Sequence, residues 1–221
     1  MVDYQSQFEL NDSYYFSKLD FITWNRYFHV LQIFKKQNFK NILEIGSGDG
    51  ILKSIINPYV NSYKTLDINI KMKPDFNHDL RSYNDELSNK FDLIIITDVL
   101  EHIPFNDLTI AFENLNQYLT VGGKVILTIP YRRSFISYFS SLNYEPKILS
   151  IKNGYLSFGS FYRNFIIKKP WIDPHHCYEI GILGIKVNDV EKIIKHNNFT
   201  ILISKIIPYV NIWLIEKSKD L

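Results

Sequence analysis

The sequence has little of what marks a secreted or membrane-embedded chain. Its 221 residues contain one cysteine, Cys177, which excludes an intrachain disulfide and fits a reducing compartment. No apolar run approaches the roughly 20 residues that span a bilayer. Met1–Leu10 is polar and lacks the apolar core of a secretory signal, so the expected location is cytoplasmic. Charge of one sign is also scarce. Lys and Arg number 25 against 23 Asp and Glu, a net +2, so whole-molecule charge does not argue for a nucleic-acid partner. With 46% hydrophobic and 22% charged residues, the composition is that of an ordinary globular protein, long enough for one α/β domain with a sizeable core.

Glycine is sparse too, at nine residues, yet three of them fall at positions 46, 48 and 50. They follow the apolar residues Ile42, Leu43 and Ile45 and precede a helix-compatible run. A strand, a glycine turn and a helix N-terminus form a nucleotide-binding corner. A dinucleotide fingerprint requires a closing Gly or Ala, and Ile51 stands there; a P-loop requires Gly before its lysine, and Leu52 precedes Lys53. What remains is Glu-x-Gly-x-Gly-x-Gly from Glu44 to Gly50. It resembles motif I of the class I S-adenosylmethionine-dependent methyltransferases. A purely structural turn in another α/β protein is the rival reading.

Short β-rich runs at 41–45, 63–68, 91–97 and 123–129 alternate with helical stretches near 50–58, 82–89, 105–119 and 186–197. The expected fold is α/β, a Rossmann-like parallel sheet flanked by helices. Residues 199–216 read as two strands around a turn at Pro208-Tyr209, giving a final antiparallel strand. The whole chain, 1–221, is expected to be a single domain with an N-terminal helical cap over 1–39. Within the cap, residues 17–38 read as an amphipathic helix. Phe21, Trp24, Phe28, Leu31 and Phe34 are its expected packing stripe, with a cover over the cofactor as the second reading. Tyr14 and Tyr15 lie just before it, able to close on the site or to pack in the core.

Further segments carry the same resemblance. Asp67 ends the second apolar run, about twenty residues beyond the glycines, where a carboxylate accepts from ribose hydroxyls. Phe91-Asp92 and Val99-Leu100-Glu101-His102-Ile103 resemble the family's fourth strand and its end, and Gly122 to Pro130 its fifth strand. The resemblance covers roughly residues 40–130. It implies S-adenosyl-L-methionine as cofactor, held by Glu44, Gly46, Ser47, Gly48, Gly50, Asp67, Ile68, Asp79, Leu80, Thr97 and Asp98. In that scheme Asp79 and Leu80 meet the adenine, and Thr97 and Asp98 face the sulfonium.

Residues 131–172 break the alternation and are rich in aromatic and basic side chains, including Phe135, Tyr138, Phe139, Tyr144, Tyr155, Phe158 and Phe165. The segment is expected to form a substrate lid, with Tyr131, Arg132, Arg133 and, outside it, His102 as substrate neighbours. Its cations suit an anionic acceptor; a homodimer surface, a membrane-surface patch and a small extra core are the rivals. Asp173-Pro174-His175-His176 follows and resembles a segment found in many small-molecule methyltransferases. His175 and His176 are the candidate general bases. Neighbours in an extended chain point opposite ways, so at most one is expected to face the methyl donor. The spacing of Asp173, His175, His176, Cys177 and Glu179 matches no strong metal motif, and no metal is expected.

The function this implies is methyl transfer from S-adenosylmethionine to an O or N nucleophile of a small molecule, with a sugar, sugar nucleotide or glycan intermediate as the acceptor suggested by analogy. An NAD-dependent oxidoreductase and a catalytically inactive binding module of the same fold are the alternatives.

Overall fold

Successive apolar residues of a strand must point to opposite faces of a sheet. In the computed structural model, which describes residues 12–140, 143–152, 158–168, 171–182 and 184–218, they do so. In chain order the elements are α1 (Asp12–Ser17), α2 (Phe21–Phe34), β1 (Asn41–Ile45), α3 (Ile51–Ile56), β2 (Ser62–Asp67), β3 (Phe76–Asn77), β4 (Phe91–Thr97), α4 (Leu108–Tyr118), β5 (Leu119–Pro130), β6 (Arg133–Ser140), β7 (Asn143–Lys152), α5 (Phe158–Phe161), α6 (Val187–His196), β8 (Phe199–Ile207) and β9 (Val210–Lys217). Seven strands form one sheet in the order β3-β2-β1-β4-β5-β9-β8. Strands β1 to β5 pair in parallel. β9 runs antiparallel between β5 and β8, so the expected antiparallel end of the sheet is present.

Two cores lie on the two faces. Leu43, Ile94, Ile96, Val125 and Leu127 pack with Ala111, Phe112 and Leu115 of α4 and Val190 and Ile194 of α6. Ile42, Leu93, Ile95 and Ile126 pack with Tyr27 and Val30 of α2 and Leu52 and Ile56 of α3. The strand order reverses between β1 and β4, which leaves a crevice beyond their carboxyl ends. Glu44 and the glycine turn stand on one side of it, Thr97 and Asp98 on the other.

Two expectations are corrected. The stretch 82–89 is not an α-helix but a single 3-10 turn, Asp85–Leu87. Its start is set by the Asn84 side chain, which accepts from Glu86 N at 3.0 Å, and Leu87 is its only buried residue. A sequence with one apolar anchor cannot hold a longer helix against the sheet. In α2 the packing face is Tyr27, Val30, Leu31 and Phe34, whereas Phe21 and Trp24 are exposed. The helix is rotated relative to the stripe read from its aromatic residues, because its inner face is set by what it meets on the sheet and at the glycine turn. Part of the 131–172 segment is β structure: β6 and β7 pair as an antiparallel hairpin in their own two-stranded sheet. The side chains of Tyr15, Tyr138, Phe139 and Tyr144, and the whole of Tyr155, lie outside the described residues.

Candidate active site

A cavity of ≈ 340 Å³ opens at the crevice between β1 and β4. It brings together most of the residues singled out from the sequence: Glu44, Gly46, Ser47, Gly48, Asp67, Ile68, Thr97, Asp98, His102, His175 and His176. Gly50 stands just behind it as the N-cap of α3.

The glycine turn is fixed by sterics. Gly46 has φ +72°, and a Cβ there would lie 2.3 Å from Val99 Cγ2. Only glycine admits both that dihedral and the close approach of the loop after β4. Asp49, inside the turn, accepts from Ile51 N at 2.9 Å and from the Tyr27 hydroxyl at 2.6 Å. The cap helix α2 is thereby tied to the turn. Beneath it, Glu44 is buried and accepts from the Tyr63 hydroxyl at 2.9 Å. Burial pushes the Glu44 carboxyl up to about 8, against the Tyr63 hydrogen bond.

Asp67, at the end of β2, is nearly buried and accepts from Asn69 N at 2.8 Å. Burial raises its carboxyl above the ordinary range. A side cavity shares Gly46, Asp67 and Ile68 with the main one and is lined by Asp79, Leu80 and Ile103. Against the upward pull of burial, four bonds from Arg81, one from its backbone N and three from its guanidinium, hold the Asp79 carboxyl low, the shortest at 2.6 Å from Nη2.

Asp98 sits at the end of β4 with φ +51°. Its backbone N donates to Thr128 Oγ1 at 3.1 Å, and that hydroxyl donates back to Asp98 Oδ1 at 2.7 Å. The other carboxylate oxygen pairs with Arg26, carried across by α2.

The far wall comes from residues 173–179. Asp173 Oδ1 accepts from His175 N at 3.0 Å and Asp173 O from His176 N at 3.0 Å, so the segment is a tight turn. The extended backbone assumed for the adjacent histidines is corrected to this turn, and both residues line the cavity. The His176 Nδ1 lies 2.9 Å from Glu179 Oε1, and the His102 Nδ1 lies 2.9 Å from the His175 carbonyl. Against burial, hydrogen bonds from His176 and Arg132 hold the Glu179 carboxyl below its ordinary value. Burial lowers the His102 imidazole, which favours its neutral form.

Of the three residues expected from the start of the 131–172 segment, Tyr131 and Arg132 line a second side cavity together with Asp98, Asp173 and His176. Arg132 binds Glu179 through two bonds, Nε to Oε2 at 2.7 Å and Nη2 to Oε1 at 2.8 Å, and stacks on Trp171. Arg133 turns to the Tyr131 hydroxyl, at 3.2 Å.

Sequence reasoning missed Arg26, Tyr27 and Asp49 as parts of this site, and named Glu101 and Glu179 without giving them a role in it. Asp49 was visible inside the glycine motif, but its partner Tyr27 is brought to it only by the fold.

A family model described as a methyltransferase domain matches residues 19–158. No curated protein matches the chain. Among solved structures, an S-adenosylmethionine-dependent methyltransferase from Clostridium acetobutylicum is 15% identical, with a TM-score of 0.55 over 92% of this chain and 94% of that one. The N-methyltransferase NodS from Bradyrhizobium japonicum, in complex with S-adenosyl-L-homocysteine, is 13% identical, with a TM-score of 0.62 over 99% of this chain and 100% of that one. A third, 1,6-didemethyltoxoflavin-N1-methyltransferase from Burkholderia thailandensis, with bound 1,6-didemethyltoxoflavin and S-adenosylhomocysteine, is 9% identical, with a TM-score of 0.59 over 94% and 85%. At these identities the structural likeness speaks for the fold, while the family model spans more than half of the sequence. Glycine turn, strand-end acids and matching domain agree: the chain belongs to the methyltransferase-domain family and is a class I S-adenosylmethionine-dependent methyltransferase.

Proposed function

We propose that the cavity holds S-adenosylmethionine against the glycine turn and passes its methyl to an O or N nucleophile of a small molecule at the histidine wall. The observation that carries this reading is the single cavity shared by the Glu44–Gly48 turn, Asp67, Asp98 and the His102–His176 pair. The donor bears a sulfonium and an ammonium group, and the carboxylates of Asp49, Asp67 and Asp173 in the cavity wall favour such cations. Asp67, oriented by Asn69, is suited to the ribose diol, and Leu80 with Ile103 to the adenine face. Ser47 and Gly48 would hold the amino-acid end through their backbone, and Thr97 and Asp98 the sulfonium end.

Methyl transfer needs alignment more than activation. S-adenosylmethionine bound there would supply a methyl group on a sulfonium leaving group, and the acceptor's proton would need a base. His176 is the group placed to take that proton. Its Nδ1–H is held by Glu179, which leaves the Nε2 lone pair for the proton. His175 serves chiefly through its main chain, which fixes His102.

The acceptor is neutral or cationic rather than anionic. The Arg132 charge, expected to attract an anion, is committed to Glu179, that of Arg26 is committed to Asp98, and the acids lining the cavity outnumber its two cations, Lys18 and Arg26. Hydroxyl-bearing sugars and small amines are the classes to try first. The test is S-adenosylhomocysteine formation over a panel of neutral sugars, amines and their phosphorylated counterparts. Turnover confined to phosphorylated members would reverse the charge assignment, and calorimetry with S-adenosylhomocysteine checks the cofactor directly.

A further inference from the structure

Glu101 has no exposed surface, and neither of its carboxylate oxygens has a hydrogen-bond partner among the described residues. A buried carboxyl in that condition demands an explanation, because leaving it unsatisfied costs several times a normal hydrogen bond. Two imidazoles stand beside it. Glu101, His102 and His176 each offer a ligand atom, and the three atoms lie within 4.8 Å of one another. His176 Nε2 is 3.9 Å from Glu101 Oε1, and the two histidine rings are edge-to-face at 5.0 Å.

The tautomers are set from outside the cluster. A carbonyl can only accept, so His102 Nδ1 must donate to His175 O. The Glu179 carboxylate likewise takes the proton of His176 Nδ1. In the neutral rings both Nε2 atoms therefore carry lone pairs. This carboxylate–histidine and carbonyl–histidine arrangement is how proteins orient imidazoles toward a metal ion. The two segments are also bound together: Cys177 N donates to Glu101 O at 2.7 Å, and Cys177 Sγ to His102 O at 3.3 Å. No motif spacing announces the set, because its members come from the loop after β4 and the turn before α6.

We infer that Glu101, His102 and His176 bind a divalent first-row transition metal ion at the wall of the methyl-transfer cavity. Two nitrogens and one carboxylate suit Zn²⁺, Mn²⁺ or Fe²⁺ better than the all-oxygen preference of Ca²⁺ or Mg²⁺. Three protein ligands leave a fourth position open. Bonds of roughly 2.1 Å put tetrahedral ligands about 3.4 Å apart, so the cluster closes by about an ångström on loading. His102 and His176 line the cavity, which gives the ion a way in and turns the open position toward the acceptor. The inference deepens the site reading above: His176 Nε2 acts as a base with no ion bound and as a ligand with one.

The test is Zn²⁺ calorimetry on the chelator-treated full chain, with Co²⁺ absorption as a second readout. One ion per chain at micromolar affinity or tighter is expected. Glu101→Gln and His176→Asn should each weaken uptake about a hundred-fold, Glu179→Gln at least ten-fold, and His196→Asn, on the surface of α6, not at all. Circular dichroism and S-adenosylhomocysteine affinity report folding; if Glu101→Gln does not fold, the partly exposed His176 carries the test. Absence of uptake by the folded wild-type chain overturns the ion site, as does uptake unchanged in both Glu101→Gln and His176→Asn. A chain that binds S-adenosylhomocysteine but no ion loses this inference and keeps methyl transfer; a chain that binds the ion but turns over no acceptor does the reverse.

Discussion

The Tyr27 hydroxyl donates to Asp49 Oδ2 at 2.6 Å, and this one bond joins the cap helix to the glycine turn. Hydrogen bonds to charged acceptors contribute about 1.5–3 kcal/mol. Tyr27→Phe keeps the ring in its core and removes the bond. We predict about ten-fold weaker S-adenosylhomocysteine binding by calorimetry, with stability in urea unfolding lowered by about 1.5–3 kcal/mol. Unchanged affinity would show that the cap plays no part in holding the cofactor.

Gly46 and Gly50 both have positive φ, but only a side chain at Gly46 meets a neighbour, Val99 Cγ2 at 2.3 Å. A left-handed conformation alone costs an L-residue about 1–2 kcal/mol. Gly50→Ala should lose about that much stability in urea unfolding. Gly46→Ala should lose about 1–3 kcal/mol more through overpacking and should also lose cofactor affinity. Equal losses would mean that Val99 yields freely.

Glu44 is an acid whose folded value, about 8, lies above its ordinary 4.5. Between those values the unfolded chain has released the proton and the folded chain keeps it. The folded state then binds more protons, so stability falls as pH rises. The contribution is fully present below about pH 4.5 and is lost by about pH 8. Glu44→Gln, which cannot ionise, should flatten that part of the profile. Urea midpoints measured across the window would give parallel curves for the two proteins if the carboxyl were already ionised.

The two neighbouring histidines should separate in kinetics. A positioned base contributes about 10²–10⁴-fold. His176→Asn is expected to lower kcat by at least about a hundred-fold with cofactor affinity nearly unchanged. His175→Asn keeps the main-chain carbonyl that holds His102, and its turnover should fall by less than about ten-fold. A reversed order, or an equal loss of affinity and turnover at His176, would remove His176 from proton transfer.

How much of this was legible in the sequence follows from the range of the interactions. The apolar run Leu93 to Ile96 declares a strand by itself, and Glu44 to Gly50 declares a turn by itself, because sterics and periodicity act locally. Asp67 and Asp98 could be placed because strand ends in such a sheet converge. Arg26 gave no local sign, and Glu101 stood in a quoted segment without a role; their roles arise when α2 and residues 173–179 close over the crevice. The exposed Phe21 and Trp24 misled the reading of α2, since aromatic spacing defines a face without saying which way it turns. At the His175-His176 pair the error was one of backbone: an Asp173-led turn, not an extended chain, sets their directions. The basic character of the 131–172 segment was real in composition, but Arg132 faces its own Glu179.

The insertion of β9 between β5 and β8 has a kinetic side. Pro130 pairs with Val210, so joining β5 to β9 closes a long loop, at a cost of about 4 kcal/mol for some 80 residues. The β8–β9 pair is local, with Ile207 beside Val210. That hairpin is expected to form early and dock late, bringing Tyr209 O to the Tyr131 N–H at 2.7 Å. Pulsed hydrogen exchange during refolding would show amides of β8 and β9 protected before those on the β9 side of β5. Until that docking, the side cavity lined by Tyr131 and Arg132 lacks its Tyr209–Val210 wall, so this cavity should be among the last features a refolding chain completes.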